Sequence, residues 1–479
     1  MRLWMNNIGI IKDSSVLIDG LTVITGKNSS GKTTVGKVLY AIIQANSNIE
    51  KAFEYSKAAY ISSQLGRIWT ALSALRNYPI RFPQTIHEMS DVEQILLVLS
   101  RRRYGSVSLD QQITWLYSVK DILPKLTIQE LGSFIEKYYS SPLDREKEYY
   151  LTISEQFEER RRSAIDICSR AIATIDDPRA FQAFRSERTK AFLNSAFRNQ
   201  IKPIKAARSV AQMRLDSSDR TILGLKIHGK ANFEFSNDSS FVFPYNQAIF
   251  IDNPFVLDRI EEDDFFYPAA HQDTTDDMIG VINVLSHEDH LISLLTTTIS
   301  SNFFDNLEFQ KKYQSIVEKI NAIVPGEFQK ASDGMFYVEN GMKLNVQNLA
   351  TGSKLFSILK LLFMKGFLNR DTVLVLDEPE SHLHPDWINK FAEILVLLIK
   401  EVKLHILLTT HSPNLLLALH VYAQSYEVAD LSHFYLAKTM ENGWSAALSC
   451  IDENINEGYA HLSIPLISMT IQQDSLTEE

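Results

Sequence analysis

Apolar residues follow two different patterns along this chain. Towards the two ends they form short runs, at 21–24, 373–376 and 406–408, each followed by polar or charged residues. Runs of this length and composition predict strands that are buried on both faces of a parallel sheet. Over 47–220 the apolar positions instead recur every three to four residues, most clearly at 92–102 and 151–172, which predicts helices. We therefore expect an α/β protein with a large helical insertion.

Prolines and turn residues divide these patterns into segments. The helical stretch is interrupted by prolines, which favours a compact lobe over a continuous heptad arm. Asn340-Gly341 predicts a hairpin over 335–346. The expected segments are an N-terminal part of the core at 1–46, a helical insertion lobe at 47–220, core strands at 221–260, a helical subdomain at 261–345, a further core part at 346–420, and C-terminal core strands with a docking tail at 421–479.

The strand predicted at 21–24 leads into a glycine-rich loop. Residues 26–34 read GKNSSGKTT, which fits G-x-x-x-x-G-K-[ST], and a helical pattern follows at 35–43. Glycine allows the backbone to turn successive N–H groups towards one anion, and the following helix adds its dipole. In such a loop Lys32 reaches the β- and γ-phosphates and the Thr33 hydroxyl binds Mg²⁺. The alternative is a plain turn beside an exposed lysine. The predicted nucleotide-binding residues are Gly26, Lys27, Asn28, Ser29, Ser30, Gly31, Lys32, Thr33 and Thr34.

Two later strands end in residues suited to the same chemistry. The strand at 373–376 is followed by Asp377 and Glu378. An aspartate there can hold Mg²⁺, and the adjacent glutamate can polarise an attacking water. The next buried strand ends at His411, which can contact a γ-phosphate. We predict Asp377 and Thr33 as metal ligands and Glu378 and His411 as catalytic residues; the alternative is strands that end in polar residues without a function.

These motifs, with NLATGSK at 348–354 and DEPESHLHP at 377–385 between them, resemble the ABC-type ATPases. Within that group the chain is similar to the soluble branch of recombination, repair and anti-phage ATPases. EPESHLHP is most similar to the overcoming-lysogenisation-defect group, and 21–42 with AIFIDNPFVLD at 248–258 resemble the PtuA family, the ATPase subunits of Septu-type systems. The resemblance covers about 1–45, 245–260 and 345–415.

The resemblance implies an ABC-type P-loop ATPase core and a nucleotide held between two subunits. The residues it assigns to the nucleotide of the second subunit are Thr351, Gly352, Ser353 and Lys354. This chain departs from the family at Ala350, where the relatives have a serine, so a weaker contact and slow turnover are expected. The alternative for this segment is an ordinary helix start capped by Asn348 or Thr351.

Composition narrows the possible functions. The chain has 479 residues, a net charge of −10 and two separated cysteines, Cys168 and Cys450, which predicts a cytoplasmic protein with reduced thiols. Against the negative net charge, one stretch is basic and contains interleaved phenylalanines. It is either a nucleic-acid contact or the solvated side of an amphipathic helix. Its basic residues are Arg185, Arg188, Lys190, Arg198, Lys202, Lys205 and Arg208.

Three function classes follow. The leading one, implied by the resemblance, is an ATP- and Mg²⁺-dependent regulatory subunit of an anti-phage complex, a homodimer or larger assembly that controls a partner nuclease of the HNH type. The chain itself is expected to have no nuclease activity, because 68 residues after His411 are too few for a further metal-dependent nuclease domain. The alternatives are a DNA repair or recombination ATPase of the RecF/Rad50-like branch and the nucleotide-binding subunit of a transporter.

Overall fold

A computed structural model describes residues 1–73, 89–100, 107–138, 143–203, 209–217, 220–229, 232–237, 243–260, 284–297, 303–331 and 334–464 of the chain. The chain forms two compact units. Among the described residues, the core unit consists of 1–47, 186–260 and 284–464, and the insertion unit of 48–185.

Strands and helices are numbered in chain order. The strands are β1 (Arg2–Asn6), β2 (Ser14–Leu17), β3 (Leu21–Gly26), β4 (Ala211–Ser217), β5 (Arg220–His228), β6 (Asn232–Asn237), β7 (Gln247–Ile251), β8 (Glu327–Ala331), β9 (Gly334–Glu339), β10 (Met342–Asn345), β11 (Thr372–Asp377), β12 (His405–Thr410), β13 (Ser432–Thr439) and β14 (Ala446–Cys450). The helices are α1 (Lys32–Asn46), α2 (Ile49–Ser73), α3 (Asp91–Ser100), α4 (Leu109–Ile122), α5 (Ile128–Tyr138), α6 (Leu143–Ile175), α7 (Ala180–Ala196), α8 (His287–Thr296), α9 (Phe303–Lys312), α10 (Gln314–Asn321), α11 (Thr351–Met364), α12 (Pro385–Leu397) and α13 (Pro413–Ser425).

The main sheet of the core unit has the strand order β14-β13-β3-β12-β11-β7. Neighbouring strands from β13 to β7 are parallel, and β14 pairs antiparallel with β13. All six residues of β3 are buried, as expected for a central parallel strand covered on both faces. The carboxyl ends of β3, β11 and β12 therefore meet at one edge of the sheet. The predicted α/β fold, a mixed sheet with flanking helices and a large helical insertion, is confirmed.

Helices and a second sheet cover the two faces of the main sheet. On one face, α1 shares an apolar cluster with β11 and with the antiparallel sheet β2-β1-β4-β5-β6; this cluster includes Leu3, Val38, Ile42 and Val375. On the other face, α11, α12 and α13 pack against side chains such as Leu374 and Leu376. The parallel strands are thus held rigidly between two apolar layers.

The predicted hairpin over 335–346 is confirmed by the antiparallel pairing of β9 and β10. Its turn residues Asn340 and Gly341 have φ angles of 49° and 80°, as a two-residue turn of this type requires. The two strands join β8 in a separate three-stranded sheet.

The insertion unit has its own apolar core. Trp69, Phe134, Phe157 and Leu116 are buried in one cluster formed by α2 to α6. Within the interval 47–220 that the sequence assigned to a helical lobe, the structure places strand β4, which pairs with β1 and β5 in the core unit. Among the residues that the structure describes, no helix combines the length and apolar character needed to cross a membrane.

Candidate functional site

The loop between β3 and α1 has the backbone of a phosphate loop. Gly31 precedes the first residue of α1 with a φ of 88°, and Gly26 has a φ of 154°. A Cβ atom at Gly26 would lie 2.6 Å from the carbonyl oxygen of Ala437, and one at Gly31 would lie 2.5 Å from Cδ1 of Ile11. Both positions therefore require glycine for space as well as for conformation.

The middle of this loop faces solvent at Lys27, Asn28 and Ser29, whereas Ser30 is buried. The Ser30 hydroxyl oxygen has no hydrogen-bond partner within the described structure. A buried hydroxyl without a partner, next to the amino end of a helix, fits the binding of an anion at this loop.

Lys32 is almost fully buried at the start of α1. Its ammonium group donates to the carbonyl oxygens of Gly26 at 3.0 Å and Lys27 at 2.9 Å. It also forms an ion pair with Glu378, with Nζ 3.2 Å from Oε1. These contacts hold the Lys32 charge between the loop and the end of β11.

Asp377 lies at the end of β11 beside Thr33 and Thr409. The Thr33 hydroxyl donates to Oδ2 of Asp377 at 2.8 Å, and the Thr409 hydroxyl donates to Oδ1. The pKa of Asp377 is raised above its usual value, mainly because the side chain is buried. The charges of Glu378 and Asp252 also raise this pKa, whereas the two hydrogen bonds lower it. A hydroxyl and a carboxylate in contact are hard oxygen ligands, and a cation would relieve the repulsion among the three acids. The residues thus fit Mg²⁺.

Glu378 follows the carboxyl end of β11 and contacts both the amino end of α1 and the carboxyl end of β12. It has a left-handed backbone with a φ of 50°, and its N–H donates to the backbone oxygen of Thr409 at 3.1 Å. Its second carboxylate oxygen lies 3.4 Å from Nδ1 of His411. A non-glycine residue in this conformation is strained, as is common at functional sites. The structure therefore brings Lys32, Glu378 and His411 together although they are far apart in sequence.

Residues 351–354 occupy the first turn of α11. The preceding residue, Ala350, is the N-cap and makes no side-chain capping bond, so neither Asn348 nor Thr351 caps the helix. A Cβ at Gly352 would lie 3.0 Å from the Trp387 ring, which explains the glycine by close packing.

Lys354 is buried in the same turn. It forms an ion pair with Asp258 and donates to the carbonyl oxygen of Gln347 at 2.9 Å. Within the part of the chain that the structure describes, no hydrogen bond or ion pair joins 351–354 to the phosphate loop. Lys354 thus anchors α11 within its own chain.

The basic stretch at 185–208 makes several contacts within the chain. Arg185 is buried, and Arg188 donates to the carbonyl oxygens of Gln44 and Ser47, both at 3.3 Å. Desolvation lowers the pKa of Arg188. Arg188 therefore satisfies carbonyl groups at the end of α1, and its guanidinium lies 5.6 Å from the centre of the Phe192 ring.

The other basic residues of this stretch are less buried. Lys190 pairs with Glu187 at 3.6 Å, and Lys202 donates to the carbonyl oxygen of Ser209 at 3.0 Å. Arg198 is exposed. Lys205 and Arg208 lie outside the described residues. A nucleic-acid contact along this stretch stays a prediction.

Sequence reasoning missed two acids at this site. Asp252 follows the buried strand β7 just as Asp377 ends β11, and that shared pattern was the available signal. It contacts Nε2 of His287 at 2.8 Å and lines a cavity of about 130 Å³ together with Asp377 and Glu378. The second missed acid is Glu380, two residues after Glu378, whose side chain is 4% exposed.

A buried histidine of the core unit makes stability depend on pH. His290 of α8 contacts the Gln44 amide at 2.9 Å, and desolvation lowers the pKa of His290 to about 4. Between pH 6.5 and about 4 the unfolded chain therefore binds more protons than the folded chain. We expect the free energy of unfolding to fall by about 2 kcal/mol between pH 7 and pH 5 on account of His290, and to change little on its account above pH 7.

Chemical denaturation of the wild type and His290→Gln at pH 7 and pH 5 measures the contribution of His290 to the pH dependence of stability. The variant should lose less stability on acidification than the wild type. Contributions from other titrating groups, including the buried His405, are common to both proteins and cancel. Equal losses in the two proteins would contradict the assignment.

Comparison with known proteins identifies the family to which this chain belongs. The model of the family described as "AAA domain, putative AbiEii toxin, Type IV TA system" matches residues 21–418. A search of the curated proteins finds no match.

Solved structures similar to this chain include three SMC head domains. The one from Thermotoga maritima is 11% identical, with a TM-score of 0.35 and coverage of 94% of this chain and 97% of that chain. A head domain with a coiled coil and joint from Pyrococcus yayanosii is 10% identical, with a TM-score of 0.34 and coverage of 97% and 99%. One from Pyrococcus furiosus, bound to the C-terminal domain of ScpA, is 9% identical, with a TM-score of 0.30 and coverage of 95% and 97%.

Proposed function

Because this chain belongs to the AAA-domain family whose model matches residues 21–418, we propose that it binds ATP with Mg²⁺ and hydrolyses it at the carboxyl edge of the main sheet. The observation that carries this proposal is the convergence of Lys32 with Glu378 and of Thr33 with Asp377, with His411 beside them. An ammonium group, a hydroxyl and two carboxylates with different surroundings are the groups that phosphoryl transfer to water requires.

Each residue has a distinct role in this proposal. The metal, when bound, neutralises charge on the phosphate oxygens, and Thr33 and Asp377 are its protein ligands. Lys32 lies at the carbonyl oxygens of the loop, within reach of the phosphates that the loop cradles. A phosphate is a stronger partner for Lys32 than a carboxylate that is about one-third exposed, so nucleotide binding weakens the pair between Lys32 and Glu378. Glu378 is then able to orient the attacking water and accept its proton.

The first turn of α11 supports a site shared between two chains. Thr351, Gly352 and Ser353 are partly exposed, and the N-cap residue Ala350 makes no side-chain capping bond to the N–H groups of this turn. An uncapped helix start with its dipole is an anion site. We place it against the γ-phosphate held by a second copy of the chain, in an isologous dimer with two equivalent sites. Ala350 supplies no hydroxyl to this contact, so turnover is slow.

The biological setting in this proposal is defence against phage. The family description names a putative toxin of a type IV toxin–antitoxin system, which supports a system with a second protein. The segment EPESHLHP and the similarity to Septu-type ATPases favour a nuclease of the HNH type as that protein. ATP then sets the spacing of the two copies, and the nuclease responds to that spacing.

Mixed dimers test the shared site. Lys32→Ala removes the phosphate-loop contact, and Ser353→Glu places a carboxylate at the first turn of α11, where it stabilises the helix but repels a phosphate. Each variant should be inactive alone. A mixed dimer has one site with both lesions and one intact site, so about half of the activity per mixed dimer should return.

Ser353→Gln is the matched control, because it has the same size without the charge and should stay active. A substitution at Gly352 is unsuitable, since any side chain there meets Trp387. No recovery of activity, with subunit exchange demonstrated by differently tagged chains, would show that the two halves of the site belong to one chain.

A further inference from the structure

Glu380 is a buried acid between the ends of two strands. It lies in the short 3-10 segment Pro379–His382 directly after Glu378, and its side chain is 4% exposed. Its Oε1 accepts hydrogen bonds from the Thr410 hydroxyl at 2.6 Å and from the His411 backbone N–H at 3.0 Å. These two bonds join the turn after β11 to the end of β12.

The second oxygen of Glu380 makes this arrangement unusual. Oε2 is buried and has no hydrogen-bond partner within the described structure. Burying a carboxylate oxygen without a donor is unfavourable, and such groups occur where function requires them. An amide at this position would keep an acceptor for Thr410 and His411 without a buried charge, so the charge itself calls for an explanation.

The charged groups near Glu380 explain why a carboxylate is buried here. Nδ1 of His411 lies 3.6 Å from Oε1 of Glu380 and 3.4 Å from Oε2 of Glu378. The other carboxylate oxygen of Glu378 contacts Lys32. The imidazole is therefore flanked by two acids, of which Glu380 is buried and Glu378 is about one-third exposed.

We propose that Glu380 is a positioning residue that acts through His411. It fixes the backbone of His411 by a hydrogen bond and orients the imidazole by its charge. When the Lys32 pair with Glu378 weakens on nucleotide binding, Glu380 remains bound to β12 and keeps His411 at the γ-phosphate. This inference rests on the proposed ATP hydrolysis.

Two substitutions each remove one part of this arrangement with little change of shape. Glu380→Gln removes the charge, and Thr410→Val removes the hydroxyl donor. We expect Glu380→Gln to lower kcat about 10-fold and to leave KM for ATP within about 3-fold, because supporting residues act on the geometry of the reacting groups rather than on binding. Thr410→Val should lower kcat in the same direction by a smaller factor, and Thr410→Ser, which restores the hydroxyl, should recover it.

A double-mutant cycle with His411→Ala separates positioning from general stability. If Glu380 acts through His411, Glu380→Gln should change kcat less than about 2-fold when His411 is already alanine. A full 10-fold loss in that background would overturn the inference, as would unchanged kcat in both Glu380→Gln and Thr410→Val. Melting temperatures identify any variant that fails to fold. If Glu380→Gln is such a variant, the comparison of Thr410→Val with Thr410→Ser tests the inference instead, because equal kcat in these two variants would contradict the positioning role of Glu380.

The controls distinguish this inference from the function on which it rests. Glu378→Gln and His411→Ala should each lower turnover in the same assay. If neither does, the proposed hydrolysis is wrong and the inference fails with it. If both do while the Glu380 and Thr410 variants match the wild type, only the positioning role of Glu380 is wrong.

Discussion

Lys32→Ala will abolish measurable ATP binding. The Lys32 ammonium group is held at the carbonyl oxygens of Gly26 and Lys27, and it is the buried cation of the phosphate loop. Removing it loses charge-assisted bonds to two phosphates and leaves the negative field of Asp377 and Glu378 unopposed. We expect affinity to fall at least about 100-fold, which corresponds to roughly 2.7 kcal/mol.

Equilibrium binding of labelled ATP in the presence of Mg²⁺ measures this loss. Lys37→Ala is the matched control, because it removes the same charge from the same helix at a partly exposed position further from the loop. Equal affinity in Lys32→Ala and the wild type would mean that the loop does not hold the phosphates.

Glu378→Gln will separate binding from turnover. The amide keeps the size of the side chain, so the left-handed turn and the contact with β12 are retained. It cannot accept a proton from water, and we expect steady-state hydrolysis to fall at least about 100-fold. ATP binding should be retained or tighter, since one negative charge leaves the neighbourhood of the phosphates.

Phosphate release from Mg²⁺–ATP, measured beside equilibrium binding on the same preparation, checks both parts. Glu441→Gln, an exposed site in the loop before β14, is the control for a change of net charge. Asp377→Ala should behave differently and weaken the Mg²⁺-dependent part of binding. Wild-type turnover in Glu378→Gln would contradict its assignment as the base.

The elements of the site could be predicted because each is local in sequence. The phosphate loop is a contiguous motif between a strand and a helix, and Asp377, Glu378 and His411 each follow an apolar run. A parallel sheet brings such strand ends to one edge, so their approach follows from the pattern. The order of the strands along the edge decides which of these residues touch.

Contacts across the edge could not be predicted. The bonds that Thr410 and His411 donate to Glu380 span about thirty positions and depend on the parallel register of β11 and β12, which pairs Asp377 with Thr409. Asp252 reaches the site because β7 lies beside β11, an order that hydrophobic patterns do not encode. The environment of Arg188 was equally inaccessible, since its carbonyl partners lie at the end of α1, more than 140 residues earlier.

Strand β4 was not predicted from the sequence, for a different reason. Its burial alternates along Ala211, Met213 and Leu215, so a period of two was present in the sequence. The pattern is short and follows a long helical stretch, and partners as distant as β1 turn it into a strand. Tertiary pairing, rather than local preference, sets this boundary.

The structure of Glu378→Gln with ATP and Mg²⁺ tests the central claim most directly. We expect two chains related by a two-fold axis, with the phosphates of each nucleotide on residues 26–34 of one chain. The γ-phosphate should lie beside Lys32 and His411 and the metal on Thr33 and Asp377, with the first turn of α11 from the partner completing the site. Nucleotide bound away from residues 26–34, or a site completed within one chain by its own residues 351–353, would contradict it.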